Sequence, residues 1–154
     1  MYAAGADVVF HAAGDSGVGV FEAATALSTA ERKLWAIGVD SDQYETVGSI
    51  SGAVHPDEWR LHILTSVLKR VDLATHEFLA EYAQGEFRPG RHTFDLASGG
   101  MDISYSGHYI DDIAQQIDAA REGIISGRIS VPCVPVAKLA LAQERGYPID
   151  FCDG

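Results

Sequence analysis

The amino-acid sequence predicts an α/β fold, a three-layer sandwich with a mainly parallel sheet and helices on its faces. Short apolar segments alternate along the chain with longer segments of helical apolar spacing, and the first three of these segments make a strand-helix-strand unit. Parallel strands joined by a helix need right-handed crossovers and layered packing. The 154 residues, 47% of them hydrophobic, suffice for one well-buried core.

Three strands and two helices are predicted in the first half. An apolar run over 6–13 stops at a glycine, residues 20–33 have helical spacing, and 34–40 form a second apolar run. A third strand over 61–67 leads into a helix over 68–85, which closes at a glycine suited to a C-cap. The strand-helix order therefore repeats along this half of the chain.

The second half changes character. Two alternating segments within 92–106 flank a Ser-Gly-Gly turn, which is typical of a β-hairpin. Residues 109–129 have the spacing of an amphipathic helix, and a last short helix is expected over 136–145. These elements extend the fold beyond the strand-helix repeats of the first half.

Most aromatic residues are interpreted as structural. Phe21, Phe78 and Tyr82 occupy helical apolar positions and are predicted to pack in the core rather than to stack on a ligand. The segment 44–60, which carries Trp59, is predicted to be an exposed loop. A lid, or a contact to a second lobe, is the alternative for that segment.

Composition excludes several kinds of partner. Asp and Glu number 22 against 11 Lys and Arg, and the net charge of −11 opposes attraction to nucleic acid or to an anionic membrane surface. No run approaches the ~20 apolar residues that span a bilayer, and the N-terminus lacks the pattern of a signal peptide. Cys133 and Cys152 have no Cys or His at metal-ligand spacing, so an inert pair or a disulfide is predicted, with no metal and no cofactor.

A Gly-Asp-Ser-Gly tetrapeptide at 14–17 matches the surroundings of the nucleophile in trypsin-like proteases. Those proteases are all-β, whereas Ser16 lies between a predicted strand and a helix, and the elbow of α/β-hydrolases needs glycine where Val18 stands. Dinucleotide and phosphate-loop patterns fail too, since Glu22 replaces a required glycine and no Gly-Lys-Ser/Thr follows. No catalytic triad is recognisable, so the chain is predicted to hold a ligand rather than to be an enzyme.

The glycines of this loop permit a close approach of the backbone to a ligand. Gly14, Gly17 and Gly19 lack a Cβ, so the backbone N–H groups at the start of the following helix can reach a bound molecule. A tight turn without a ligand is the alternative. In open α/β sheets, ligands bind beyond the carboxyl ends of the strands, so other residues at that edge decide between the two.

Polar residues follow the second and third predicted strands at this edge. Asp40 and Asp42 follow the second strand, and Thr65, Ser66 and Lys69 lie near the end of the third. A carboxylate that accepts from two hydroxyls, beside an ammonium group that donates, suits a vicinal diol such as ribose. Taken singly, a turn or capping role for the aspartates and a solvated lysine are the alternatives.

Five ordered motifs together resemble the second half of the basic membrane protein family, the purine nucleoside receptor lipoproteins that feed nucleosides to ABC transporters. The motifs are GADVVFHAAGDSGVGVFEAA, WAIGVDSDQ, ILTSVLKRVD, the Gly-Gly hairpin and IISGRISVP. The resemblance covers about residues 4–132 and implies one lobe of a periplasmic-binding-protein type I fold. In that fold two α/β lobes close on a nucleoside.

The resemblance also implies the site residues. Gly14 matches the family's sugar-binding glycine, Asp40 the ribose-binding aspartate of the GVD motif, and Lys69 the lysine of the TS-x-x-K motif. Two residues join the expected ligand-binding set on their position alone: Ser16 as a rim contact in the glycine-rich loop, and Asp42 after the second strand. No catalytic residue and no metal ligand belong to it.

What the resemblance implies for function is the solute-binding component of an ABC transporter that binds purine nucleosides for uptake. Residues 1–132 would form the ligand-binding lobe and 133–154 a C-terminal tail. The expected partners are a nucleoside, a permease and an N-terminal lobe outside this chain, with extracytoplasmic anchoring as a lipoprotein. An intracellular nucleoside-sensing regulator is the first alternative, and a nucleoside-acting enzyme is less favoured.

Overall fold

The computed structural model of the chain confirms the α/β class, with four strands in an open, mostly parallel sheet flanked by helices. It describes residues 1–50, 52–132, 134 and 138–146. The strands, in the spatial order β1-β2-β3-β4, are β1 Val8–Phe10, β2 Trp35–Asp40, β3 Ile63–Lys69 and β4 Met101–Ile103. The helices are α1 Val18–Leu27, α2 Gln43–Thr46, α3 Pro56–Arg60, α4 Val71–Gln84, α5 Ala114–Ile125 and α6 Leu139–Glu144.

The first three strands are parallel, and only β4 runs against its neighbour. In the register of β2 and β3, Asp40 lies opposite Leu68, so both strands reach the same edge of the sheet. Because parallel strands point their carboxyl ends the same way, the segments that follow β1, β2 and β3 emerge together. This edge is where the sequence places its candidate site.

The third strand runs two residues further than predicted. The pairing of β3 with β4 includes Leu68 opposite Asp102 and Lys69 opposite Met101. The backbone hydrogen bonds of this antiparallel pair hold Leu68 and Lys69 in extended conformation instead of the predicted first turn of a helix. Lys69 therefore ends a strand, and α4 starts only at Val71.

The core of residues 1–115 lies between the sheet and the helices packed on it. Phe21 is fully buried there, as predicted. Two clusters of buried apolar side chains make up this core, one of Phe21, Ala36, Val47, Ile50, Trp59 and Ile63, and the other of Tyr2, Val9, Ala24 and Leu34. Members from strands and from helices share each cluster, which fixes the helices against the sheet.

The prediction of an exposed loop over 44–60 is wrong. The described part of this segment includes most of α2, a 3-10 turn at Val47–Ser49 and the helix α3. Trp59 is only 3% exposed, and Val47 is completely buried. Val47, Ile50 and Trp59 fill part of the core, and their burial outweighs the turn-forming composition around them.

The predicted hairpin is also wrong, because residues 93–97 form no strand and β4 pairs with β3 instead. A tight turn occupies the place of the first hairpin strand. The Asp95 N–H donates to Ser98 Oγ at 2.8 Å, the Ser98 N–H donates to Asp95 Oδ1 at 2.9 Å, and the Gly100 N–H donates to Asp95 O at 2.8 Å. Such local bonds from Asp and Ser side chains compete with strand pairing.

Helix α4 ends at Gly85 in the left-handed conformation, as predicted. None of its residues is buried, and Tyr82 is 75% exposed, so the predicted core position of Tyr82 is wrong. Phe78 is half-buried and meets Phe94 edge to face at 5.5 Å between ring centroids. Apolar spacing identifies one face of a helix, but it does not determine whether anything covers that face.

The chain divides into two compact units, of which the first comprises residues 1–115. The described residues from 116 onward are largely helical and include most of α5 and the helix α6. Within this second unit the Ile129 N–H donates to Gly123 O at 2.9 Å. Cys133 and Cys152 lie outside the described residues, and no helix that the structure describes is both long and apolar enough to cross a membrane.

Trp59 offers a test of the core. We expect Trp59→Ala to lower the free energy of unfolding by about 3–5 kcal/mol, because it removes a large buried side chain and leaves a cavity. Leu61→Ala, two residues away at a half-exposed position, is the matched control and should change the free energy by no more than about 0.5 kcal/mol. Urea unfolding of both variants checks this, and equal effects would contradict the buried position of Trp59.

Candidate functional site

The segment that follows β1 turns sharply at the carboxyl edge of the sheet. Gly14–Gly17 form a single 3-10 turn that leads directly into α1. Gly14 has a φ of +52°, a left-handed conformation that side chains with a Cβ rarely adopt. A Cβ on Gly14 would lie 3.6 Å from Asp40 Oδ2, so the turn after β1 and the end of β2 are in close contact.

Asp40 and Lys69 form an ion pair across the ends of β2 and β3. Lys69 Nζ lies 2.6 Å from Asp40 Oδ1, and the side chains of Lys69 and Asp40 are 56% and 48% exposed. Arg70, the next residue, is instead held by Asp72, and this hydrogen-bonded pair lowers the pKa of the Asp72 carboxyl to about 2. The positive charge beside Asp40 is therefore that of Lys69.

Gly14, Asp40 and Lys69, here called the Asp40 cluster, therefore meet at one edge of the sheet. Oδ1 of Asp40 contacts the ammonium group, and Oδ2 lies 3.6 Å from where a Cβ on Gly14 would stand. A half-exposed ion pair contributes at most about 1 kcal/mol in water. Hydroxyl groups of a ligand can therefore compete for these oxygens, while the ammonium group donates to a further acceptor.

Asp40 itself adopts a left-handed backbone conformation, with a φ of +72°. Aspartate tolerates this region better than most residues with a Cβ, but the conformation is uncommon. Strained backbone of this kind often occurs at ligand-binding sites, where the surrounding structure enforces it. In this conformation the Asp40 carboxylate lies between Gly14 and Lys69.

Asp42 is bound to protein groups on both of its oxygens. Its Oδ1 accepts from the Tyr44 N–H at 3.2 Å and so caps α2. Its Oδ2 accepts from Ser104 Oγ at 2.7 Å and from Ser106 Oγ at 2.6 Å. These contacts tie the segment after β4 to the start of α2, so a contact between Asp42 and a ligand stays a prediction.

The other predicted polar residues separate into exposed and buried ones. Ser16 is exposed within the 3-10 turn. Thr65 and Ser66, expected near the end of the third strand, are both buried inside β3. Thr65 Oγ1 donates to Ser104 O at 2.6 Å, and Ser66 Oγ accepts from the Gln43 N–H at 3.1 Å.

Two buried polar residues beneath the Asp40 cluster were missed by sequence reasoning. His11 follows β1 directly, and Gln43 opens α2, where its Oε1 accepts from the Val39 N–H at 2.9 Å. Burial lowers the pKa of His11, against the opposing effects of the neighbouring Gln43 side chain and the Asp40 charge. A histidine at the end of an otherwise apolar strand was the available signal for this position.

The residues that the structure describes include no group of three or more His, Cys, Asp or Glu side chains placed to hold a metal ion. The chemical groups of the site are thus one carboxylate, one ammonium group and the backbone of a glycine turn. These groups can donate hydrogen bonds to a polar molecule and accept them from it. This composition suits the recognition of hydroxyl groups.

Comparison with known proteins gives consistent results. The family model of PnrA-like ABC transporter substrate-binding proteins (Bmp) matches residues 1–134. A CD4+ T-cell-stimulating antigen of Listeria monocytogenes is 33% identical over 141 residues, which are 88% of this chain and 38% of that protein. The ABC transporter nucleoside-binding protein BmpA of Lactococcus lactis is 34% identical over 136 residues, which are 86% of this chain and 38% of that protein.

Solved structures share the fold. An ABC transporter solute-binding protein from Conexibacter woesei superimposes with a TM-score of 0.60 at 19% identity, over 85% of this chain and 39% of that one. A second solute-binding protein, from Aeropyrum pernix, gives a TM-score of 0.58 at 22% identity, over 88% of this chain and 42% of that one. The chain thus spans about two-fifths of the length of these relatives.

The structural role of Asp42 leads to a stability prediction. We expect Asp42→Ala to lower the free energy of unfolding by about 2 kcal/mol, since it removes a helix cap and the acceptor of two serine hydroxyls. Asp15→Ala, which removes an exposed carboxylate from the turn after β1, should stay within about 0.5 kcal/mol of the parent chain. Denaturant unfolding measures both variants. If Asp42→Ala lowers the free energy of unfolding no more than Asp15→Ala does, this structural role of Asp42 is refuted.

Proposed function

The chain belongs to the family of PnrA-like ABC transporter substrate-binding proteins, and from this premise we propose that it holds the ribose of a purine nucleoside for uptake. The observation that carries the proposal is the Asp40 cluster. Its ion pair at 2.6 Å stands at the carboxyl edge of the sheet, beside a glycine whose missing Cβ leaves the backbone open to a ligand. In open α/β sheets this edge is the usual place for a ligand.

Each member of the cluster has a proposed role. The Asp40 carboxylate accepts hydrogen bonds from the two hydroxyls of the ribose diol, with the geometry that a carboxylate offers to paired donors. Lys69 donates to a ribose oxygen. Gly14 lets the backbone approach the sugar, and Ser16 and Asp42 stand at the rim of the site.

The proposal assigns binding and transport rather than catalysis to the protein. A family of substrate-binding proteins holds its ligand unchanged for a membrane permease. We propose that residues 1–132 form one lobe, that a second lobe outside this chain supplies the contacts to the base, and that closure of both lobes creates the form recognised by the permease. Such a protein works outside the cytoplasm, anchored as a lipoprotein.

Removal of the Asp40 carboxylate tests the ribose assignment. We expect Asp40→Ala to weaken guanosine binding by about 1.5–3 kcal/mol, roughly 10- to 150-fold, because buried hydroxyls lose their acceptor. Isothermal titration calorimetry of the longest natural form of the protein measures this. Asp112→Ala, at an exposed position away from the cluster, is the control and should bind as the parent does. Unchanged affinity in Asp40→Ala would remove Asp40 from the site.

The identity of the sugar contact leads to a second ligand test. Wild-type protein should bind guanosine about tenfold more tightly than 2′-deoxyguanosine. The deoxy compound lacks the 2′-hydroxyl and so loses one hydrogen bond to a charged group, and such a bond contributes about this much to binding. In Asp40→Asn, which keeps the size of the side chain, that preference should largely disappear. Competition calorimetry with both nucleosides gives the two ratios. A preference that persists in Asp40→Asn would place the diol contact on another residue.

A further inference from the structure

His11 lies directly beneath the turn that carries Gly14. Its backbone N–H donates to Ile37 O at 3.3 Å and so continues the pairing of β1 with β2. The residue is only 5% exposed, and neither ring nitrogen has a hydrogen-bond partner among the residues that the structure describes. Buried polar side chains are normally hydrogen-bonded, so this exception requires an explanation.

The turn after β1 rests on the His11 ring. A Cβ on Gly17 would lie 2.0 Å from both Cε1 and Nδ1 of His11, a distance that no side chain can occupy. On another side, Phe21 of α1 meets the ring edge to face, with 5.0 Å between centroids. The 3-10 turn therefore packs directly against the imidazole, which also contacts α1.

The groups around the ring are of three kinds. The end of β2 contributes the Asp40 charge, which Lys69 of β3 neutralises at 2.6 Å. The start of α2 contributes Gln43, a neutral side chain whose Oε1 is already used by the Val39 N–H. Helix α1 contributes the apolar Phe21. A neutral imidazole suits these surroundings, because burial disfavours the charged ring by more than the Gln43 side chain and the Asp40 charge favour it.

We propose that His11 is a positioning residue of the binding site: its neutral ring holds the Gly14–Gly17 turn against Asp40, and its protonation releases the turn. The coupling between ring and turn follows from their packing alone. Its effect on ligand affinity rests on the function proposed above. The site then holds its ligand well at neutral pH and releases it in acid.

The direction of this effect follows from linkage. Burial lowers the pKa of His11 in the packed arrangement, whereas a ring exposed by opening of the turn titrates near the usual value of about 6.5. As the pH falls below that value, the open arrangement takes up a proton before the packed one does, so protons favour opening. The packed turn is thus fully retained above about pH 7 and is lost progressively in acid.

The coupling is tested without any ligand by NMR of the 154-residue chain. Ring resonances of His11 and backbone amides of Gly14 and Gly17 are followed from pH 7.5 to pH 5. We expect the amides to shift with the same midpoint as the His11 ring, and that midpoint to lie below the usual histidine value. If the amide shifts of Gly14 and Gly17 do not follow the titration of His11, the proposal is overturned. This test needs no substitution.

Affinity provides the second measurement, with guanosine as the probe. Wild-type protein should lose up to about tenfold in affinity per pH unit below the pKa of the released ring. His11→Phe keeps a ring beneath Gly17 but cannot titrate, so its affinity should be flat over the same range. His62→Gln removes another partly buried histidine, one that contacts Leu34 O at 2.8 Å, and should keep the wild-type profile.

The outcomes separate this inference from the proposed function. If guanosine fails to bind at any pH while the amides follow His11, the nucleoside assignment fails and the coupling stands. If guanosine binds and His11→Phe keeps the wild-type pH profile, the positioning role is overturned and the nucleoside assignment stands. A purely structural role for His11 would lower stability in His11→Phe without removing the pH dependence.

Discussion

The parallel register of β1, β2 and β3 is the constraint on which the rest of the site depends. Since all three strands point their carboxyl ends at one edge, residues 14, 40 and 69 meet there although long stretches of chain separate them. A local feature places each residue there. Gly14 and Asp40 both adopt left-handed backbone conformations. Lys69 lies at the end of β3, where the strand is still paired with β4. A slip of one residue in the register would turn the side chains of the strand residues Asp40 and Lys69 to the other face of the sheet.

A buried polar layer supports this edge from below. His11, Gln43 and Ser66 lie under the ends of the strands, and two glycines make room for them. A Cβ on Gly38 would lie 2.6 Å from both Gln43 Oε1 and Ser66 Oγ, just as a Cβ on Gly17 would meet the His11 ring. The glycines are thus needed for packing beneath the site as well as for approach of the backbone to a ligand. Rigid support of this kind keeps the half-exposed Asp40 and Lys69 pair in place without a ligand.

Family membership and geometry together support the proposal that this chain carries part of a binding site. The chain spans about two-fifths of the length of its relatives, and the Asp40 cluster offers groups that suit a sugar but none that select a purine base. A binding protein that closes around its ligand divides these tasks between lobes, so that neither lobe binds tightly by itself.

The sequence by itself determined the α/β class, the first three strands, the Gly85 helix end and the meeting of Gly14, Asp40 and Lys69, since all of these follow from local periodicity and from the polarity of parallel strands. Only the tertiary structure decided that Trp59 is buried, that Tyr82 is exposed and that β4 pairs with β3. It also revealed His11 beneath the turn. The physical reason is that burial and strand pairing depend on partners far away in sequence, whereas spacing and turn chemistry act between near neighbours.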